Sequence, residues 1–175
     1  MKFATWLEAQ NNIDVGSLKA SQEFQGMWYH GTWDIDPVLQ SGYLKIRGDG
    51  IKARNAAAMG IGVYLTNDLD EAKSYSPVNG KSGVVGVTFI KPPKLARIKD
   101  NTIEYGIFDE LQSVGLNDPN MVNNILQSRG FNGIHWDLRD GAQKIVIYDP
   151  SYLSPVKEVS RMLVEPGTLN GKWSV

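Results

Sequence analysis

Apolar residues along the chain fall mostly into short runs, with the two-residue alternation of strands more than the 3.6-residue recurrence of helices. Met27-Trp28-Tyr29-His30 is an aromatic strand run halted by Gly31-Thr32. Gly62-Val63-Tyr64-Leu65-Thr66 is a second. The β-branched run Gly83-Val84-Val85-Gly86-Val87-Thr88-Phe89-Ile90, closed by Pro92-Pro93, is a third. Leu95-Ala96-Arg97-Ile98 reads as a short strand. Gly130-Phe131-Asn132-Gly133-Ile134-His135-Trp136 and Ile145-Val146-Ile147-Tyr148 read as two late ones around the turn Arg139-Asp140-Gly141.

Helical spacing is rarer. Phe3, Trp6 and Leu7 place a short helix over residues 3–10, followed by a polar connection over 11–25. Pro37 suits a first helical turn, and Ser41-Gly42 ends that helix. Asp68 is an N-cap for a helix through Tyr75, with Glu71 three residues on as its capping-box partner. Two more helices are predicted near 103–114 and 118–129, the second after Asn117-Asp118-Pro119. Residues 47–60 read as a crossing loop, and the tail 164–175, without periodicity, as loose or docked without regular structure. Strands spread along the whole chain with helices in two clusters fit an α+β fold better than a doubly wound parallel sheet.

At 175 residues the chain suits one domain with short extensions, here divided as 1–26, 27–155 and 156–175. With 42% hydrophobic and 21% charged residues, a packed core is expected. A net charge of −1 gives no support to general phosphate-backbone binding. The chain has no cysteine, which rules out disulfides and thiolate metal sites and suits a cytoplasmic setting. Its two histidines, His30 and His135, are too few for a multi-histidine site, so no metal is expected; His135, beside Trp136, reads as structural. No apolar stretch reaches the length of a membrane span, so no membrane partner is expected either. Glu8 interrupts the first residues before an apolar region builds, which makes them a poor secretory signal.

Three separated segments carry a resemblance. Tyr29-His30-Gly31-Thr32 is similar to the first strand motif of the poly(ADP-ribose) polymerase and diphtheria-toxin group of ADP-ribosyltransferases. Gly60-Ile61-Gly62-Val63-Tyr64-Leu65-Thr66 followed by Ala72-Lys73-Ser74-Tyr75 resembles the second, with the two tyrosines eleven residues apart as in that group. Gly130-Phe131-Asn132-Gly133-Ile134 leading to Ile145-Val146-Ile147-Tyr148-Asp149-Pro150 is similar to the end of compact transferase domains of bacterial toxins and phages. The resemblance implies two packed, mainly antiparallel sheets with a few peripheral helices. It also implies NAD as co-substrate, bound by His30, Gly31, Thr32, Tyr64, Ala72 and Tyr75, and a bacterial or phage-infected cell as the setting.

Physical chemistry supports those residue types. Nicotinamide in NAD is a flat cationic ring, and two tyrosines could hold it face to face, each contact worth roughly 0.5–2 kcal/mol. Gly31 leaves room for backbone groups to approach the nicotinamide amide. His30 and Thr32 offer a ring nitrogen and a hydroxyl to ribose.

The third position departs from the pattern. Cleaving the nicotinamide–ribose bond builds positive charge, which a carboxylate facing it would stabilise. The group places a Glu four residues before the second aromatic of its last core strand; counted from Tyr148, that residue is Lys144. A one-residue bulge would bring Gln143 there instead, and Gln143 is favoured because a lysine opposes a cationic transition state. With His30 and Tyr64, Gln143 completes the expected catalytic set. Asp137 and Asp140 are alternative acids; the resemblance equally implies that they, with Lys144, recognise the acceptor, and the two aspartates could instead merely cap a hairpin. The resemblance implies a mono-ADP-ribosyltransferase that modifies an intracellular macromolecule, protein or nucleic acid, and releases nicotinamide. A weak or inactive NAD- or ADP-ribose-binding module, or an NAD glycohydrolase, is the alternative.

Overall fold

In a computed structural model, the residues described are 13–14, 24–46, 59–76, 80–98, 119–128, 130–137, 141–164 and 171–174. The strands are β1 (Ile13–Asp14), β2 (Trp28–Thr32), β3 (Val63–Thr66), β4 (Gly83–Val87), β5 (Leu95–Ile98), β6 (Gly133–Asp137), β7 (Gln143–Ile147), β8 (Lys157–Val164) and β9 (Gly171–Trp173). The helices are α1 (Asp36–Ser41), α2 (Leu69–Ser74) and α3 (Pro119–Ser128), with a 3-10 turn at Pro150–Tyr152. Two expectations change. The polar connection contains β1, which pairs with β5, and the tail contributes β8 and β9. The helices expected over 3–10 and 103–114 lie outside the described residues, as does residues 47–58 of the crossing loop.

The α+β class holds. The sequence reading, however, has two packed sheets, and hydrogen bonding instead joins the described strands into one, in the order β1-β5-β6-β7-β3-β2-β4-β8-β9. The sheet is mixed: β5 and β6 run parallel, and the other pairs are antiparallel. Continuity comes from β2, which pairs with β3 on one side and β4 on the other.

Alternation assigns two faces, because directly paired residues point the same way. Val63 pairs with Ile147 and Leu65 with Ile145. These four join Trp28, Ile35, Val85, Val87 and Leu153 in the main core. Trp28 packs its ring against Phe24 and Phe89 at centroid distances of 6.0 and 6.1 Å. Such aromatic pairs add roughly 0.5–1.5 kcal/mol each beyond the area they bury. His135 is fully buried on this side with its ring edge-on to Phe24. The opposite face carries Tyr64 and Val146 as one pair and Thr66 and Lys144 as the next. That second face holds Tyr64, Lys144 and the Gly31 position of the candidate site, whereas His30, paired with Val85, points to the core face.

Helix α2 starts where the sequence places it. The Asp68 carboxylate accepts the amides of Asp70 and Glu71 at 2.8 and 3.0 Å, satisfying two donors of the first turn. The reciprocal half of the predicted capping box is replaced. The Asp68 amide donates to Thr66 Oγ1, and the Glu71 carboxylate turns to Lys144 and Tyr75.

Candidate functional site

The site begins where β2 and β3 meet. The β2–β4 ladder runs the length of β2, from the Trp28–Val87 pair to Thr32–Gly83, while β2 meets β3 at Tyr29–Thr66. Past that pair the His30 ring spans the interval, Nδ1–H donating to the Tyr64 carbonyl at 2.9 Å. His30 therefore ties the first motif to the second directly. Gly31 lies under α2. A Cβ there would sit 2.1 Å from the Ala72 carbonyl oxygen and 2.8 Å from Ser76 Oγ. The missing side chain thus serves the close approach of a helix, a use that the sequence reading assigns to nicotinamide. Ala72 is buried at that contact. Thr32 is also buried, and its hydroxyl donates to the Asp34 carbonyl at 3.1 Å, which commits its proton to a local turn.

Tyr64 is held from below. Its hydroxyl donates to the Gly60 carbonyl at 2.8 Å and accepts the Met59 amide at 3.2 Å. Tyr148, two positions beyond Val146 on the same face, donates to the Met59 carbonyl at 2.8 Å. Asn123 of α3 closes the clamp: its amide accepts from Ile61 N and donates to Ile61 O, both at 2.7 Å. Gly60 is required here, with φ +94° and only 2.2 Å between its would-be Cβ and Asn123 Oδ1. With its hydroxyl so anchored, the ring of Tyr64 has a fixed direction.

Burial pushes the Tyr148 phenol far above its ordinary range, and nearby Tyr64 adds to the shift. Ionisation is harder in the folded chain than in the unfolded one. Tyr148 therefore contributes its full stability below the ordinary phenol value of 10.0, and loses it as pH rises beyond that. Tyr148→Phe should flatten the alkaline decline of stability above about pH 10, measured by urea unfolding across that range.

Tyr75 caps the C-terminus of α2 and is half exposed. Its hydroxyl donates to Glu71 Oε1 at 3.0 Å and accepts from Lys144 Nζ at 2.9 Å. Lys144 Nζ also lies 2.7 Å from Glu71 Oε1 and 5.4 Å from the Tyr75 ring centroid. Lys144 is a neighbour of Tyr64 through the adjacent cross-strand pairs Thr66–Lys144 and Tyr64–Val146. Both tyrosines therefore belong to one face of the sheet.

The bulge that would bring Gln143 to this face is not made. β7 keeps one register against β6 from Asp137–Gln143 to Gly133–Ile147, and against β3 from Thr66–Lys144 to Val63–Ile147. Gln143 consequently points to the other face, where Nε2 donates to Asp137 Oδ1 at 3.3 Å. Its backbone amide donates to Asn67 Oδ1 at 2.7 Å. Lys144 takes the position expected of Gln143. Asp137 lies with Gln143, away from the tyrosines, and its Oδ1 is 3.5 Å from His135 Nε2. Asp140 lies outside the described residues.

Sequence reasoning missed three contributors. Glu71 was legible only as a cap residue, although its position one turn before Tyr75 places both on one helix face. Asn123 and Tyr148 carry no local signature of their contacts with the 59–61 segment. Among the described residues, no group of three or more His, Asp or Glu side chains is arranged to hold a metal, and no helix is long and apolar enough to cross a membrane. Compared with known family models, curated proteins and solved structures, the chain matches none.

Proposed function

We propose that the chain is an ADP-ribosyltransferase-like domain that binds NAD with the nicotinamide ring between Tyr64 and Tyr75, and passes ADP-ribose to an intracellular protein or nucleic acid. One observation carries the reading. Two tyrosines from separate elements arrive on the same sheet face, one fixed through its hydroxyl and the other half exposed at a helix end. A flat cation is the kind of ligand that phenol faces attract. The Gly31 backbone lies where β2 leaves β3, on the tyrosine side, while His30 points to the core face and meets the site through its bond to the Tyr64 carbonyl.

Incubation with NAD, with and without a cell lysate, tests this function. Nicotinamide released only with lysate marks a transferase; release without it marks a hydrolase. A second reading, a module that binds NAD or ADP-ribose without cleaving it, is favoured by Lys144 at the third position. Tight binding with no release would select it. Absence of NAD and ADP-ribose binding at millimolar concentration would remove both.

Tyr75→Ala should weaken NAD binding by roughly 0.5–2 kcal/mol in a calorimetric titration. Tyr152, which also lies under a lysine, with Lys91 Nζ 4.0 Å from its centroid, belongs to the 3-10 turn outside the site. Tyr152→Ala should leave NAD affinity unchanged. Equal losses from the two variants would argue against the aromatic clamp.

A further inference from the structure

Lys144 stands where the transferase reading calls for an acid, yet a carboxylate does reach that point. Glu71 delivers it from α2, with Oε1 2.7 Å from Lys144 Nζ and 3.0 Å from the Tyr75 hydroxyl. Lys144 donates to that hydroxyl in turn, so three groups close a ring of charge-assisted hydrogen bonds that fixes the Glu71 rotamer. Exposure orders the pair: the Lys144 side chain is 8% exposed and that of Glu71 26%. Of the two charged groups beside Tyr75, Glu71 is thus the more open to solvent. The ion pair also cancels the charge with which a lysine would repel a cationic ligand.

We propose that Glu71 is the acid of this site, supplied by the helix in place of the strand. The inference rests on the NAD reading above. Glu71 accepts a hydrogen bond from a hydroxyl of the nicotinamide ribose and faces the positive charge that develops at C1′. As the C1′–N bond breaks, its electron pair leaves with nicotinamide, which departs neutral, and C1′ becomes an oxocarbenium centre. Water or the acceptor's nucleophile then bonds to C1′ and releases its proton to solvent. The Glu71 carboxylate is unchanged at the end.

The test is nicotinamide release from NAD by the full chain, with lysate as the source of acceptor. Glu71→Gln keeps the side chain's size and an oxygen for Lys144 and Tyr75. It leaves the buried Lys144 ammonium without its counter-charge and so lowers the melting temperature, but at saturating NAD the folded protein should release nicotinamide about 100-fold or more slowly, a larger factor than the rise in Kd. Asp70→Asn removes the same charge one residue away, from a side chain paired with Lys73; it should release nicotinamide at the parental rate. The exchange Glu71→Lys with Lys144→Glu preserves the ion pair and moves the acid to β7, and should recover at least about tenfold of the lost rate. A Glu71→Gln variant as fast as the parent would overturn the inference and leave the NAD reading standing. A loss of rate no larger than the loss of affinity would overturn it in favour of a structural role, as would a parent that binds NAD without turnover. A parent that neither binds nor cleaves NAD would overturn both.

Discussion

Gly31→Ala should cost about 3 kcal/mol of stability and weaken NAD binding tenfold or more in the molecules that remain folded. The added methyl would stand 2.1 Å from the Ala72 carbonyl oxygen, well inside van der Waals contact. That oxygen belongs to helix backbone and cannot rotate aside as a side-chain terminus could. Ser76 Oγ, 2.8 Å from the same point, is held by its bond to the Gly83 carbonyl. The remaining response is for α2 to lift from the sheet. Tyr75 and Glu71 ride on that helix, so the contact that costs stability also opens the site. Urea unfolding and NAD titration measure the two effects on one variant. A Gly31→Ala protein as stable as the parent would mean that α2 does not rest on β2.

Lys144→Ala should cost roughly 2–3 kcal/mol, below the 3–5 expected for a fully buried pair because Glu71 is partly exposed. It deprives the Glu71 carboxylate and the Tyr75 hydroxyl of their shared donor and leaves a gap on the tyrosine face. Gln143→Ala, one residue earlier, should cost no more than about 1 kcal/mol, since it loses the single side-chain bond to Asp137. The contrast reads the register of β7 in solution. Thermal unfolding of both variants is sufficient, and a larger loss from Gln143→Ala would place Gln143 on the tyrosine face.

The central strands were legible because their signals are local. Aromatic and β-branched runs mark β2, β3, β4 and β7, and Asp68 marks the start of α2. The elements at the sheet's ends were not. β1 is two residues long, and β8 mixes Lys157, Glu158, Ser160 and Arg161 with apolar neighbours, so only pairing with β5 and β4 defines them as strands. Arg161 makes this concrete. It bonds Asp36 at 2.7 Å and Glu158 at 3.0 Å, contacts with no trace in local composition.

Tyr64 and Tyr75 stand out by their spacing, but only the contact with Lys144 places Tyr75, a helix-end residue, on the face that strand alternation gives Tyr64. The bulge expected at Gln143 is absent for a physical reason. Lys144 is unfavourable there only as an isolated cation, and no local pattern in the sequence pairs it with Glu71, far back along the chain. That tertiary partner also took Glu71 from the capping box that a short-range rule assigns it to.

A crystal structure of the protein grown with NAD examines the tyrosine clamp most directly. The pyridinium ring should lie stacked between the side chains of Tyr64 and Tyr75, with a ribose hydroxyl within hydrogen-bond distance of Glu71. Density for the dinucleotide on the opposite face of the sheet, or its nicotinamide lying away from both rings, would contradict it.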